Sequence, residues 1–282
     1  MQFKLSAFAD ESSSEFGGQL DALARNGFGY LEIRGVDGRS ITQLSVQEAR
    51  EYQRRLEDRG LAVWSIGSPI GKVGIHEDFA AHMELYKHTL ELAGEFQAQN
   101  IRLFSFFMPK DEDPAQYRNL VLDRMAIFAE TAKQFGVFAC HENEKGIYGD
   151  IASRCLQIHQ AVPELKGVFD PANFVQCGQD TLQAWEMLHP YIYYMHIKDA
   201  LADGQVVPAG TGIGNVPAIV KAFAGQGGTV LSLEPHLNAF VGLQGLEREG
   251  DASVVGGMSF ASNEAAFDHA AASLKKILEG IV

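Results

Sequence analysis

Little in this sequence would tie it to nucleic acid, to a membrane or to an oxidising compartment. Its 282 residues hold 23 lysines and arginines against 36 aspartates and glutamates, a formal net charge of −13. No Lys/Arg cluster interrupts that field, which repels a polyanion rather than steering it in, so DNA and RNA are not expected partners. No run of about 18 apolar residues suggests a membrane span, and the opening MQFKLSAFADESSS lacks the apolar centre of a signal peptide. The three cysteines, Cys140, Cys155 and Cys177, are odd in number and show no CxxC spacing. That argues against a disulfide framework or a zinc knuckle and for a reduced, cytoplasmic setting. There is no Pro- or Ser-rich linker and no low-complexity tract, so residues 1–282 are expected to form one domain. No GxGxxG follows the first apolar run, which counts against a doubly wound dinucleotide-binding sheet.

What is present is a regular alternation. Nearly continuous apolar runs at 3–9, 29–34, 62–68, 100–107, 136–142, 166–170, 191–197 and 229–234 read as strands covered on both faces. Helical patterns lie between them. In 113–135, Val121, Met125, Phe128, Ala132 and Phe135 step by four, three, four and three, and in 80–97 Leu85, Leu92 and Phe96 repeat the pattern. Further helices are expected near 45–59 and over the closing ASNEAAFDHAAASLKKIL. A glycine follows several helix ends just before the next strand, in ARNGFGYLEI, EDRGLAVWSI and KQFGVFA. Eight strand–helix units recurring every roughly 25–38 residues predict an α/β fold, a (β/α)8 TIM barrel. The longest non-periodic piece, the Gly-rich 236–260, is expected to be a lid or an oligomer contact.

In such a barrel the C-terminal strand ends form the active-site mouth. The stretch FACHENEKG runs an apolar strand straight into Glu142, which is costly to desolvate unless something positive meets it. Three more strands end the same way: Asp170 in GVFDPAN, His196 in YYMHIKD and Glu234 in LSLEPHL. Taken singly, each reads as a helix cap, a turn or a core histidine. Four at consecutive strand ends read together as ligands converging on one divalent ion, Mn²⁺, Mg²⁺, Co²⁺ or Zn²⁺.

The segments SAFADE, YLEIRGVDG, SIGSPIGK, RLFSFF, HENEKGIYGD, FDPANF, MHIKDA, VPAGTGIGNVPAIV and LEPHL resemble the sugar phosphate isomerase/epimerase group of xylose isomerase-like TIM barrels, nearly end to end. The resemblance implies one catalytic divalent metal, Mn²⁺ foremost, held by Glu142, Asp170, His196 and Glu234. It implies that Glu142 and Glu234 act as acid and base, and that the chain forms a homo-oligomer, a dimer or tetramer. Many relatives carry a His three residues after the strand-six Asp, where this chain has Asn173. The DNA-repair AP endonucleases of this fold need further His ligands for a three-metal cluster. Here Ser68, Ser105 and Asn173 stand near the corresponding strand ends, with no His-x-His.

Around the four ligands, Lys72, Asn173, Lys198 and His236 are candidate substrate-binding residues. Lys72 either binds an anionic substrate group or is a solvated loop lysine, and Lys198 either faces the mouth or pairs with Asp199. Glu32 and Arg34 are expected to pair with each other or with neighbouring strands. His141 and His236 flank ligands and read as substrate contacts or as supports for the ligands. Glu144 reads as a cap or ion-pair partner in its loop, Asn143 as orienting a ligand. GTGIG at 210–214 reads as an N-cap turn before NVPAIV rather than a phosphate cradle.

The expected function is a metal-dependent isomerase or epimerase of carbohydrate metabolism, acting through an enediolate on a sugar, keto-sugar or inosose. The alternative is a metal-dependent lyase or dehydratase on a related polyhydroxy carbonyl compound, including cleavage of an oxidised glycoside. An AP endonuclease-like phosphodiesterase and a non-catalytic barrel binding metal or carbohydrate rank below both.

Overall fold

A computed structural model describes residues 3–243 and 257–281. Eight parallel strands close into a barrel: β1 Lys4–Ala7, β2 Tyr30–Ile33, β3 Ala62–Gly67, β4 Asn100–Leu103, β5 Phe138–Glu142, β6 Lys166–Phe169, β7 Ile192–Ile197 and β8 Val230–Leu233. Each pairs with its neighbours in the chain, and β8 closes on β1 through Lys4 opposite Val230. Helices α1 Phe16–Arg25, α2 Val46–Glu57, α3 Phe79–Glu95, α4 Arg118–Gln134 and α5 Ala152–Ala161 connect the first strands. They are followed by α6 Pro171–Gln176, α7 Thr181–Leu188, α8 Val216–Gly225 and α9 Asn263–Glu279. This is the (β/α)8 barrel the alternation predicts. Among the described residues, no helix is long and apolar enough to cross a membrane.

The helix ends behave as their glycines require: Gly27, Gly60 and Gly136 take φ of 67°, 65° and 72°, beyond α1, α2 and α4. Packing departs from the sequence stripes at two residues. Leu85 and Phe135 are exposed, while Tyr86, Leu90 and Ala93 of α3 and Val121, Met125, Phe128 and Ala132 of α4 are buried. Phe128 is the hub, with Tyr86, Phe79 and Phe106 rings around it at 4.9, 5.7 and 5.5 Å. The fourth strand is shorter than the apolar run 100–107, because the chain leaves the barrel after Leu103 and turns through Phe106 at φ 67°. Of the loop 236–260, residues 244–256 lie outside the described residues.

Inside the barrel, side chains alternate by the strand period of two. The lower layer, Cys140, Val168, Tyr194 and Val230 with Trp64, is an apolar floor. A register shift after Leu31 sets Glu32 opposite Ser65, and Glu32 accepts from the Tyr194 hydroxyl at 2.8 Å. Two residues beyond Cys140, Val168 and Tyr194 come Glu142, Asp170 and His196, and with them at the mouth stand Phe8, Arg34, Gly67, Arg102 and Glu234. Gly67 has to be glycine: a Cβ there would lie 2.6 Å from the Phe8 ring.

Candidate active site

Glu142, Asp170, His196 and Glu234, all buried, come from the ends of β5, β6, β7 and β8, and one ligand atom from each lies within 4.8 Å of the others. His196 Nδ1 faces Glu142 Oε1 at 2.8 Å and Glu234 Oε2 at 3.5 Å, while its Nε2 faces Glu32 Oε2 at 3.2 Å. Glu32 therefore fixes which nitrogen looks into the cluster, the arrangement that orients an imidazole ligand. Asp170 divides its carboxylate. Oδ1 caps α6 by accepting from Asn173 N at 3.0 Å, as the capping reading of this residue expects, while Oδ2 meets Lys198 Nζ at 2.9 Å.

Lys198 Nζ also lies 2.9 Å from Glu234 Oε2. An ammonium between two buried carboxylates shows that this cluster demands positive charge. Three carboxylates and an imidazole suit a hard to borderline divalent ion. The donor set thus fits the metal that the sequence resemblance implies.

Each glutamate leans on an arginine. Glu142 Oε2 accepts from Arg102 Nη1 at 2.8 Å, and Glu234 Oε1 from Arg34 Nη1 at 3.1 Å. Burial pushes Glu142 up, but His196 and Arg102 overcome it and bring its pKa to about 2. Glu234 falls well below the ordinary carboxylate range, Lys198 and His196 together outweighing burial. Asp170 goes the other way, to about 7, because burial and the neighbouring Glu142 and Glu234 outweigh Lys198. Burial disfavours charge on His196, yet Glu142 and Glu32 hold its pKa well above the ordinary histidine value.

Cations and aromatic rings alternate along one wall. Arg34 stacks between Phe240 and Phe8 at 4.8 and 4.4 Å, Arg102 between Phe8 and Phe104 at 5.4 and 4.5 Å, and Lys72 lies 4.5 Å from the Phe104 centroid. Arg34 also forks onto Asp10 with two bonds of 2.9 Å and reaches Glu11 at 3.1 Å. Glu11, Glu234 and His236 form a second acid/imidazole group. There the Arg34 guanidinium is the cation that meets both glutamates, and burial lifts Glu11 to about 8.

Of the four candidate substrate residues, Asn173 donates to Glu142 Oε1 at 3.3 Å, and Lys198 lies in the cluster. His236 Nε2 lies 3.3 Å from Glu11 and 3.5 Å from Glu234, and Lys72 pairs with Glu144 at 2.9 Å. Asn143 holds the Asp170 backbone in both directions, at 2.9 Å each.

At three places the structure separates the alternatives. Glu32 and Arg34 pair with other strands rather than with each other: Glu32 with His196 of β7, and Arg34 with Asp10, just beyond the neighbouring β1, and with Glu234. His141 bonds Ser105 Oγ at 3.0 Å and packs on His159, away from the cluster. Asp199 does not pair with Lys198. Its carboxylate accepts from the backbone N–H of Ala200, Gly210, Gly212 and Gly214 at 2.8–3.0 Å. A Cβ at Gly212 or Gly214 would come within 2.6 Å of that carboxylate, which is why glycines alternate in GTGIG. Asn215 then enters α8 at φ 55° without capping it, its amide bonded to Thr181 and Ile213 instead.

Arg102, Asp10, Glu11 and Phe8 escaped the sequence reading. Arg102 left a trace, a lone charge inside an apolar strand.

The family profile described as Xylose isomerase-like TIM barrel matches residues 20–277. Over 176 residues, 62% of each protein, the chain is 22% identical to a 3-dehydroshikimate dehydratase of Bacillus anthracis; it thus spans less than two thirds of that curated relative. Three solved structures share the fold. The probable 3-DHS dehydratase of Bacillus anthracis involved in petrobactin synthesis matches with a TM-score of 0.73 and 19% identity, over 99% of both chains. An L-ribulose 3-epimerase matches at 0.72 and 20%, over 100% of this chain and 96% of the other. A Mycobacterium smegmatis barrel in complex with magnesium matches at 0.70 and 15%, over 100% and 98%.

Proposed function

Because the chain belongs to the xylose isomerase-like TIM barrel family, we propose that it is a divalent-metal-dependent isomerase or epimerase of a polyhydroxy carbonyl compound. The observation that carries this reading is the convergence of Glu142, Asp170, His196 and Glu234 within 4.8 Å. These four would hold the ion, Mn²⁺ foremost, which when bound supplies Lewis acidity beside the substrate carbonyl.

Glu142 and Glu234 are the acid/base pair. They reach the mouth from β5 and β8, with two strands between them. Arg102 and Arg34 keep the two carboxylates ionised and aimed, each leaving one oxygen turned to the cluster. One glutamate takes the proton from the carbon next to the carbonyl. That glutamate, now protonated, gives the proton back at the adjoining carbon in an isomerisation; in an epimerisation the other glutamate takes a proton from solvent and delivers it to the opposite face. The Lys198 ammonium, 2.9 Å from Glu234, would steady the negative charge that grows on the substrate oxygens in the enediolate. Asn173 and His236 border the two glutamates and bind substrate hydroxyls.

The likeness to a 3-dehydroshikimate dehydratase favours one second reading. The same enediolate can expel a β-substituent, which makes a dehydratase, or a lyase that cleaves an oxidised glycoside.

The test is incubation of tag-free, Mn²⁺-loaded protein with ketohexoses and inososes in D₂O. Carbon-bound deuterium should appear with at least one of them and stop on chelation. No uptake under any metal loading would overturn the reading.

A further inference from the structure

We propose that the site selects an uncharged polyhydroxy carbonyl compound over phosphorylated or carboxylated ones, and that Glu144 sets this preference by holding Lys72. The inference rests on the reading above that the mouth binds such a compound, and it adds the charge class.

Among the described residues, four cations at this mouth have side chains less than a tenth exposed, and each is bonded to a carboxylate. Arg34 holds Asp10, Glu11 and Glu234; Arg102 holds Glu142; Lys198 holds Asp170 and Glu234. Lys72 holds Glu144 at 2.9 Å. The flat faces of Arg34 and Arg102 are engaged as well, by Phe240, Phe8 and Phe104. A substrate phosphate or carboxylate needs a cation or a set of backbone amides to meet it. The amide nest of the loop after β7 is already filled, by the Asp199 carboxylate.

An anion arriving at Lys72 would stand against Glu144 in a site of low dielectric, where like charges repel strongly. Hydroxyl groups meet no such conflict. They both donate and accept, so they bind to existing ion pairs without displacing either partner. The pair stands beside the site: Lys72 lies 4.5 Å from the Phe104 centroid, and the same ring carries Arg102, which holds Glu142 at 2.8 Å. Their pairing therefore sets the charge a substrate meets. Removing the Glu144 charge leaves Lys72 with one positive charge less compensated, and that change favours anions selectively.

The experiment is titration calorimetry on Mn²⁺-loaded protein, with D-fructose, D-tagatose and 2-keto-myo-inositol against D-fructose 6-phosphate, D-tagatose 6-phosphate and 3-dehydroshikimate. Wild type should bind at least one uncharged compound tenfold or more tightly than any anionic one. Glu144→Gln should narrow that ratio at least threefold, and Lys72→Met, which leaves Glu144 unmatched, should widen it. The proposal is overturned if an anionic compound binds as tightly as the best uncharged one, if no uncharged compound binds, or if Glu144→Gln leaves the ratio unchanged. Binding is read without turnover. If no compound takes up deuterium but the preference and its response to Glu144→Gln hold, the catalytic reading fails and the charge preference stands.

Discussion

Arg102→Met removes the positive partner of Glu142 while keeping a long apolar stem against Phe8 and Phe104. Both Arg102 and Glu142 are buried, with side chains 3% and 1% exposed and a contact of 2.8 Å. Breaking a buried pair from one side strands the other charge, at a cost of about 3–5 kcal/mol. Arg102 also acts on Glu234 and Glu32, which argues for the upper half of that range. At about 2–4 °C per kcal/mol for a chain somewhat shorter than this one, the melting temperature should fall by roughly 8–20 °C. The assay is urea unfolding at pH 7 with chelator, run as a cycle with Glu142→Gln. That variant alone should also destabilise, because it leaves a guanidinium without its carboxylate. The double variant strands neither charge, so the two costs should overlap by at least about 2 kcal/mol. A loss under about 1 kcal/mol for Arg102→Met, or strictly additive costs, would refute the idea that this arginine is what makes a buried Glu142 tolerable.

Asp199→Ala deprives four backbone amides of their shared acceptor and should cost about 2–4 kcal/mol. The N–H groups of Gly210, Gly212 and Gly214 should exchange hydrogen at least tenfold faster, and unchanged exchange would contradict the role given to this carboxylate. Burial holds the His159 pKa at about 4 and, with His159 adding, His141 at about 3. Both values lie below the ordinary 6.5, so the unfolded chain binds more protons between those limits. The stability they contribute is complete above about pH 6.5 and is lost as pH falls through 4 to 3. His159→Phe, which keeps the stack on Tyr191, should flatten that acid loss by roughly 3 kcal/mol. Equal urea midpoints for wild type and variant at pH 4, relative to pH 7, would count against it.

The barrel was legible because its determinants are local. Apolar runs, helical stripes and glycines at helix ends are properties of short segments, and they set strand number and order. The four converging residues were legible for the same reason, since each interrupts the end of an apolar run. What holds them was not. Arg102 and Glu142 are 40 residues apart, Arg34 and Glu234 200 apart, and Glu32 meets His196 across the barrel. Which inward residues touch depends on closure of the sheet, which no window of sequence contains. Asp199 shows the opposite case. Its neighbour Lys198 allowed an ion pair as one of two readings, but strand alternation sends the two side chains apart, and the spacing of three glycines eleven to fifteen residues later was the better clue.

Glu234 is given two roles, as ligand and as proton carrier, and Glu234→Gln separates them. The amide keeps the volume and an oxygen that coordinates weakly, but it has no basic lone pair for the substrate proton. The measurement is the rate of carbon-bound deuterium uptake, with the best substrate of the D₂O panel, as Mn²⁺ is raised to saturation. Metal affinity should fall modestly. Exchange should remain lower than wild type by about 10²–10⁴ on the plateau, the loss expected for a missing general acid or base. Full recovery of the rate at saturating Mn²⁺ would make Glu234 a ligand alone, and the two-glutamate mechanism would have to be abandoned.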